Sequence, residues 1–573
     1  MANRKFLHYL ALAGAIILGT ILRFWHLDLK PIWQDEVITA LFSLGRSYND
    51  VPLDVVFPLN RVGQIFTLKP GVGCAQIASA VATQSNHPPL FFCLMHNWAE
   101  APLVGVIARG WVWSLRALPA LFGVGAIYSV YYLNRVAFSP AAGLWGAALM
   151  AVSPFAVYLS QEARHYTLPI LLITLALLGL IQIQQDFQQP DKLRPWVWLG
   201  WVVVNIIGLY VHYFFILDSI AQLATLLGLM YWQRSILPRR VWVVAGLAVA
   251  VVGLSYLPWL PVLLDHFSRS ENSWLPHPNN IAPLFQTLVS WLFMVIALPV
   301  EAQPLWIAVL TGLLMVLFGS WLVWRVSRGL GQLWSTPATH LATLTLLSFT
   351  LWVLLEFFGI VYFLGKDLSA VPRYDFVYYP SICALLGASL LKSGSRGIEK
   401  KNGIFSLPYL KRSPLLLCLL VGILSSIFVV SNWVLQKPFY PQQVAQNLNQ
   451  EPSVPLMVVV GYTDRQAVAL GLSFALALEK VRSDVDFAFF NPSPQYEVLW
   501  KHLSVLTPPA VSKLNLWIIG PGLKQRDYPQ HLALSSLATC TLDPKNYYRI
   551  GVPYQLYRCA KLSAFSQVQN VSQ

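Results

Sequence analysis

The stretch SPFAVYLSQEARHYTLPILL, residues 153–172, joins two apolar runs through a short polar turn. Apolar runs of roughly 20 residues are typical of membrane-spanning helices, so the stretch predicts two neighbouring spans with a tight turn between them. The turn concentrates side chains that can ionise or donate hydrogen bonds, namely Gln161, Glu162, Arg164, His165 and Tyr166. It indicates either a hydrated hairpin tip or part of a binding site at the mouth of the membrane.

The composition of the whole chain extends this interpretation. Of 573 residues, 56% are hydrophobic and only 11% are charged, whereas soluble domains carry about 25% charged residues. The mean hydropathy of +0.56 also predicts a polytopic membrane protein. We attribute the net charge of +14 to cytoplasmic Lys and Arg and expect no nucleic-acid partner, because the sequence lacks a soluble domain with a basic, aromatic-rich face.

The apolar runs predict about eleven transmembrane helices, with a count between 11 and 13. Their approximate ranges are 6–25, 117–136, 141–158, 167–184, 196–213, 214–232, 241–264, 305–324, 341–364, 376–391 and 414–434. Basic loops are expected on the cytoplasmic side, which here include Arg234, Arg239, Arg240 and the stretch 392–412. This rule is satisfied when 283–300 is an interfacial or re-entrant helix on the outer side, and the C-terminus is then outside.

Two long segments follow on the outer side, a first loop over 26–116 and a tail from 436. The tail contains three apolar runs, VPLMVVVGY, DVDFAFFN and LNLWIIGPG, which predict strands, and an amphipathic helix with Asp464 as N-cap. Cys540 and Cys559 are expected to pair if this region is extracytoplasmic. The prediction is a transmembrane domain over 1–435 and a small extracytoplasmic α/β domain over 436–573.

Two acids, Asp35 and Glu36, follow the first span in the motif WQDE. Neighbouring apolar side chains such as Trp33 and Val37 would make such a carboxylate a more competent base. The alternative is that both acids simply solvate an interfacial loop.

Further polar residues occur at the other predicted outer turns. NHPPL contains His87, YVHYFF contains His212, and VPRYDF contains Arg373 and Tyr374. Each has an ordinary alternative: a helix cap for His87, an aromatic belt around His212 and a local ion pair between Arg373 and Asp375. The candidates for phosphate binding are Arg164 and Arg373, and those for substrate binding are His87, His165, Tyr166, His212 and Tyr374.

The motifs WQDE, NHPPLFFCLMHNW, RALPALFGV, SQEARHY, YVHYFF and VPRYDF, in this order over about residues 6–392, resemble glycosyltransferase family 39. That family belongs to the GT-C membrane glycosyltransferases and is related to the protein O-mannosyltransferases and the aminoarabinose transferases of lipid A. The resemblance implies a GT-C-like helical membrane fold and a polyprenyl-phosphate-linked sugar as donor. It also implies a lipid, glycan or protein acceptor, reached from the outer face of the plasma (inner) membrane.

The resemblance further implies roles for the acids. The acid of the first loop corresponds to Asp35, with Glu36 beside it, and the acid of the second loop corresponds to Glu162. Some relatives bind a divalent metal and others do not, so a metal is a candidate cofactor, with Asp35, Glu162 and His212 as its candidate ligands. Within residues 6–392, over which the resemblance extends, the sequence has no D-x-D pair.

The predicted activity is an inverting transfer in which Asp35 takes a proton from the acceptor hydroxyl. Two alternatives stay open at this point: a transporter or flippase of lipid-linked sugars, and a ligase that uses a lipid-diphosphate donor. A transporter is expected to show internal repeats and ionisable residues deep in its spans, whereas the sequence places them at the outer turns.

Overall fold

The computed structural model describes residues 2–107, 110–189, 193–269, 274–393, 413–493, 495–506, 512–534 and 538–561. Most of the predicted cytoplasmic basic stretch, residues 394–412, lies outside the described residues.

Helices account for most of the described chain. They are α1 (Ala2–Phe24), α2 (Gln34–Ser43), α3 (Arg61–Ile65), α4 (Cys74–Gln84), α5 (Leu90–Glu100), α6 (Pro102–Ile107), α7 (Trp111–Ala137), α8 (Pro140–Val152), α9 (Pro154–Ser160), α10 (Thr167–Phe187), α11 (Pro195–Val211), α12 (Phe215–Trp232), α13 (Arg239–Tyr256), α14 (Leu260–Ser268), α15 (Ala282–Phe293), α16 (Leu305–Ser335), α17 (Pro337–Leu364), α18 (Tyr379–Ser393), α19 (Ser413–Val430), α20 (Pro441–Leu448), α21 (Arg465–Glu479) and α22 (Glu497–Val505). The strands are β1 (Val56–Pro58), β2 (Leu456–Gly461), β3 (Val485–Phe490), β4 (Lys513–Ile519), β5 (His531–Leu534), β6 (Ala538–Ile550) and β7 (Val552–Lys561).

The chain forms two compact units, each assembled from separate stretches of sequence. The helical unit comprises Met1–Leu29, Val81–Trp98 and Trp113–Leu435, and the sheet unit comprises Lys30–Ala80, Ala99–Val112 and Gln436–Gln573. The division into domains 1–435 and 436–573 stays a prediction. The two units differ from these predicted domains, because two stretches of the first outer loop, Lys30–Ala80 and Ala99–Val112, pack with the C-terminal strands and helices.

The helical unit has the character of an integral membrane protein. Seven described helices are long and apolar enough to cross a membrane, or eight if α8 and α9 form one broken span. The predicted count of about eleven is therefore not confirmed. One predicted span became α18, whose 15 residues fall short of the roughly 20 needed, and α11 and α19 are also short apolar helices. The run 283–300 contains only the 12-residue α15, which is too short to cross.

The predicted span over 141–158 is broken in the middle. α8 ends at Val152, α9 begins at Pro154, and the two helix axes differ in direction by 58°. Proline causes such breaks because it has no N–H for the carbonyl four residues earlier and its ring collides with that carbonyl. Ser153 supports the new start, since its hydroxyl accepts a hydrogen bond from the Ala156 N–H at 3.4 Å.

The sheet unit contains one seven-stranded sheet with the order β1-β3-β2-β4-β7-β6-β5. β3, β2 and β4 are parallel, and the other neighbouring strands are antiparallel. The three predicted strands and the helix between the first two are confirmed as β2, β3, β4 and α21. Asp464 is the N-cap of α21 and accepts from the Ala467 N–H at 2.8 Å.

The predicted Cys540–Cys559 disulfide is also present. It joins directly opposed residues of β6 and β7 and is buried in the core on one face of the sheet. β1, β5, β6 and β7 were not predicted. β6 exposes polar side chains along much of its length, so it lacks the apolar run that marks β2 and β4.

Candidate active site

The turn between α9 and α10 is buried. Glu162 is 0% exposed, His165 1% and Arg164 3%. A hydrated hairpin tip would leave these charged side chains in water, so that interpretation does not describe the turn. Buried charged groups are costly unless they have partners, which makes this segment the strongest candidate for a functional site in the helical unit.

Hydrogen bonds hold both ends of the turn to neighbouring helices. At its start, the Gln161 side-chain amide donates to the Trp25 carbonyl at 2.7 Å, just after the end of α1. At its end, the Thr167 hydroxyl donates to the Pro119 carbonyl in α7 at 2.8 Å. The turn therefore has a defined position before any substrate binds.

Three histidines from distant parts of the sequence meet at this turn. The ring of His165 lies 5.1 Å from that of His87 and 4.4 Å from that of His212, measured between ring centroids. The Arg164 Nη2 lies 3.1 Å from the His87 Nε2. A guanidinium group can only donate, so this His87 nitrogen accepts, and the Nδ1–H is left to donate to the Ser85 hydroxyl at 3.0 Å.

All three histidines are neutral at physiological pH. Burial is the largest cause and holds the pKa of His87 and His165 well below the usual value. Burial and the Arg164 charge lower the pKa of His212 to about 3. Neutral imidazoles present one acceptor and one donor nitrogen each, which suits hydrogen bonding to hydroxyl groups or to phosphate oxygens.

Both candidate phosphate-binding arginines act on this cluster. Arg164 and Arg373 each lower the pKa of His165 through their charge. The Arg164 guanidinium lies 5.6 Å from the centre of the Tyr166 ring, and that of Arg373 lies 5.7 Å from the Tyr374 ring. The structure thus brings these four predicted residues and the three histidines into one neighbourhood.

Two aromatic residues that the sequence analysis did not select also line this neighbourhood. The Phe376 ring lies 4.9 Å from His212 and 5.8 Å from Tyr166. The Phe214 ring lies 4.7 Å from Tyr374. The aromatic residues of YVHYFF had been considered for a membrane belt and VPRYDF for a local ion pair, which is why the aromatic wall was missed.

Glu162 provides the negative charge of the turn. It is hydrogen-bonded to Tyr158 of α9, and the charge of Arg373 also acts on that tyrosine. The carboxyl group of Asp375 has a different environment. Burial raises its pKa to about 7, against the opposing effect of hydrogen bonds with Tyr378 and Ser290.

The cluster does not fit a divalent metal. Among the described residues, no group of three or more His, Cys, Asp or Glu side chains is placed to hold one. Two guanidinium groups beside the histidines would also repel a cation. The arrangement instead suits an anion, because fixed cations and neutral donors converge on it.

The acids of WQDE belong to the sheet unit, in the first turn of α2. The Glu36 carboxylate is fully buried and lies 3.5 Å from the Lys437 ammonium, which is 1% exposed. Lys437 also lies 5.8 Å from the centre of the Trp33 ring. Asp35 is only partly buried, so the two neighbouring acids have different environments.

The chain is similar to known proteins both in sequence and in fold. Residues 86–259 match the profile of the dolichyl-phosphate-mannose-protein mannosyltransferase family. The structure of apo ArnT from Cupriavidus metallidurans superposes with a TM-score of 0.51 at 11% identity, over 97% of this chain and 98% of that one. Residues 86–259 are therefore similar to this family, and the chain shares the fold of ArnT.

Two other GT-C proteins are similar at lower scores. The archaeal oligosaccharyltransferase AglB from Archaeoglobus fulgidus gives a TM-score of 0.46 at 15% identity, over 90% of this chain and 69% of that one. The arabinofuranosyltransferase AftD from Mycobacteria gives 0.44 at 14% identity, over 98% of this chain and 40% of that one. A comparison with curated protein sequences gave no significant match. The profile match and the shared fold support the family prediction, and the matched segment contains Glu162, Arg164 and all three histidines of the cluster.

Proposed function

We propose that this protein is a GT-C glycosyltransferase that moves a hexosyl or pentosyl group from a polyprenyl-phosphate-linked sugar to a lipid, glycan or protein acceptor. The observation that carries the proposal is the convergence of Arg164 and Arg373 on three neutral histidines at a buried turn. The matching family is described by a dolichyl-phosphate sugar, which supports a donor of this class.

The main role that we assign to the cluster is to stabilise the departing lipid phosphate. When the bond between the anomeric carbon and the phosphate oxygen breaks, negative charge develops on the lipid phosphate. Arg164 and Arg373 supply preorganised positive charge for it in a largely water-excluded site, where such interactions are strong. His87, His165 and His212 are neutral and therefore add hydrogen bonds without adding charge.

The acceptor hydroxyl is a poor nucleophile until its proton is removed. We assign the base to Asp35, on its position after the first span and on the family resemblance, with attack opposite the leaving phosphate and inversion at the anomeric carbon. Glu162, held by Tyr158, is assigned to acceptor positioning. Glu36 is assigned a supporting role, because it forms a buried pair with Lys437.

Charge stabilisation by arginines makes a metal unnecessary in this mechanism. We therefore expect transfer to continue in the presence of EDTA. A loss of transfer that added Mg²⁺ or Mn²⁺ restores would contradict this part of the proposal.

The proposed location is the plasma (inner) membrane, with multiple spans and with the active site and the C-terminal strands on the extracytoplasmic side. The support is the predicted cytoplasmic position of the basic loops. A lipid-linked donor remains in the bilayer, so the reaction has to take place at a membrane surface.

The test is transfer from radiolabelled polyprenyl-phosphate sugars by the purified protein in nanodiscs, with identification of the labelled product. Arg373→Ala and Arg164→Ala should each weaken donor affinity by about 10- to 150-fold, the equivalent of roughly 1.5–3 kcal/mol for a charge-assisted contact. Arg135→Ala is the matched control, because Arg135 is exposed near the opposite end of α7.

The alternatives give different results in the same assay. Transfer only from a lipid-diphosphate donor would identify a ligase. Movement of intact donor across the bilayer without a glycosylated product would identify a flippase. Either result would overturn the proposed function.

A further inference from the structure

The break between α8 and α9 leaves backbone carbonyls without their helical partners, and Arg23 of α1 binds two of them. Its Nη2 donates to the Met150 carbonyl at 3.0 Å, and its Nη1 donates to the Ala151 carbonyl at 3.0 Å. The Met150 carbonyl is four residues before Pro154, so it is the one whose helical donor the proline removes. A cation at the carboxyl end of a helix also interacts favourably with the helix dipole.

Two further backbone groups at the break form hydrogen bonds with serine side chains. In a continuous helix the Ala156 N–H would donate to the Val152 carbonyl, but here it donates to the Ser153 hydroxyl. The Val152 carbonyl instead accepts from the Ser426 hydroxyl at 2.9 Å. The Ala156 N–H and the Val152 carbonyl thus have serine partners at the break, and Arg23 is its charged component.

Arg23 is fully buried, and a neighbouring helix makes room for it. A Cβ atom added to Gly123 of α7 would collide with the Ser160 hydroxyl of α9 and would lie 2.9 Å from the Arg23 Nε. Real Cβ atoms essentially never come so close to another heavy atom, so any larger residue at position 123 displaces the Ser160 side chain and the Arg23 guanidinium, or the helices that carry them.

The end of α1 thus contacts both ends of α9. Arg23 binds the carbonyls just before α9, and the Trp25 carbonyl accepts from Gln161 just after it. A helix of seven residues is about 10 Å long. Both contacts come from residues 23–25, so the end of α1 holds α9 at both of its ends.

We propose that Arg23 is a positioning residue of the transfer site: by binding the carbonyls at the end of α8, it sets the direction of α9 and so the positions of Glu162 and Arg164. This inference rests on the proposed function. Arg23 acts through these residues and is not itself assigned a contact with substrate.

The test compares Arg23→Gln, Arg23→Lys and Gly123→Ala with the unmodified protein in nanodiscs, with the kinetics normalised to folded protein. Small displacements of catalytic groups can cost about 100-fold in rate, and we expect kcat/KM for the donor to fall by about this factor in Arg23→Gln. The KM for the acceptor should also rise, because Glu162, which is assigned to acceptor positioning, moves with the turn. Arg23→Lys should be intermediate, because an ammonium group keeps the charge but cannot bridge the carbonyls as a planar guanidinium does.

A second measurement does not need activity. In a protein whose free cysteines Cys383 and Cys418 are replaced by alanine, Ala163→Cys places a thiol in the buried turn. Its labelling should be slow in this background and at least tenfold faster after Arg23→Gln or Gly123→Ala. Arg135→Gln is the control and should change neither the kinetics nor the labelling.

The outcomes separate the two proposals. If Arg23→Gln leaves both the donor kinetics and the labelling rate unchanged, the positioning role is wrong. A loss of folded protein with unchanged kinetics for the remainder would show a purely structural role. An unmodified protein without transfer from any lipid-phosphate sugar would refute the proposed function, and the labelling rates would still decide whether Arg23 positions the turn.

Discussion

Asp35 and Glu36 are neighbours in the chain but have different surroundings in the fold. Glu36 is fully buried against Lys437, whereas Asp35 is partly exposed. A buried and paired carboxylate is poorly suited to exchange protons with a substrate, because removing its charge leaves its partner buried alone. At the residue scale, the burial of Glu36 against Lys437 supports our proposal that Asp35 rather than Glu36 is the base.

Replacement of Asp35 by Asn tests this assignment. The side chain keeps its size but cannot take a proton, so turnover should fall by about 10²- to 10⁴-fold, as is typical for loss of a general base. Donor affinity should be retained, because the phosphate contacts are assigned to Arg164 and Arg373. The measurements are turnover and donor binding in nanodiscs.

Glu36→Gln is the matched control for Asp35→Asn. It should lower the free energy of unfolding by about 3–5 kcal/mol, because it leaves Lys437 buried beside a neutral group. Its turnover per folded molecule should change less than that of Asp35→Asn. Near-normal turnover of Asp35→Asn would show that the acid pair is only interfacial.

The buried carboxyl group of Asp375 predicts that the stability of the protein depends on pH. Its carboxyl pKa is raised to about 7 by burial, whereas an Asp in an unfolded chain titrates near about 3.9. Between these values the folded state binds more protons, so the stability present at low pH decreases as the pH rises through about 7. Asp375→Asn cannot ionise, so its stabilisation relative to the unmodified protein should be larger at pH 8 than at pH 5. Thermal melts at both pH values test this, and a difference independent of pH would contradict it.

At the scale of elements, β1 shows how a loop segment completes a distant sheet. Its three residues pair with β3 from the C-terminal region, with Phe57 opposite Phe487. Just before β1, the Asp54 carboxylate accepts from the Tyr462 hydroxyl at 2.9 Å and from the Asn491 N–H at 3.1 Å. These contacts cover the edge of β3, which would otherwise offer unpaired backbone groups to another chain.

A fragment covering 436–573 is therefore expected to fold with a cooperative melt but to associate with itself through β3. A peptide covering residues 46–66 should raise its melting temperature and reduce the association. The same peptide with Asp54→Asn and Phe57→Ala is the control. Size-exclusion chromatography and thermal melts measure both effects. A monomeric fragment that does not respond to either peptide would argue against the role of β1.

At the scale of the whole molecule, the predicted sidedness determines where the proposed site operates. We expect a cysteine introduced near Lys400 to be protected from an impermeant reagent in intact cells and one near Gln530 to be labelled. The reason is that basic loops remain cytoplasmic and an odd number of spans then places the C-terminus outside. A cysteine at position 573 provides a second outer site as a control. The reverse pattern would place the site on the cytoplasmic side.

Local sequence patterns were sufficient to predict the long apolar helices, three of the strands and the polar turn. Long apolar runs specified the long apolar helices, whereas short helices such as α18 leave the predicted count of about eleven spans unconfirmed. Apolar runs between turn residues specified β2, β3 and β4, and Asp464 marked the start of α21. The polar turn at Gln161–Tyr166 was recognisable because charged residues are rare in so apolar a chain.

The tertiary structure alone decided which of these turns meet. His87, His165 and His212 are far apart in sequence, and each has an ordinary local interpretation, so only packing shows that their rings lie together. The pairing of Glu36 with Lys437, the place of β1 at the edge of the sheet and the binding of Arg23 to the broken helix are likewise long-range contacts. No local pattern encodes such contacts, because their partners come from segments that become neighbours only when the chain folds.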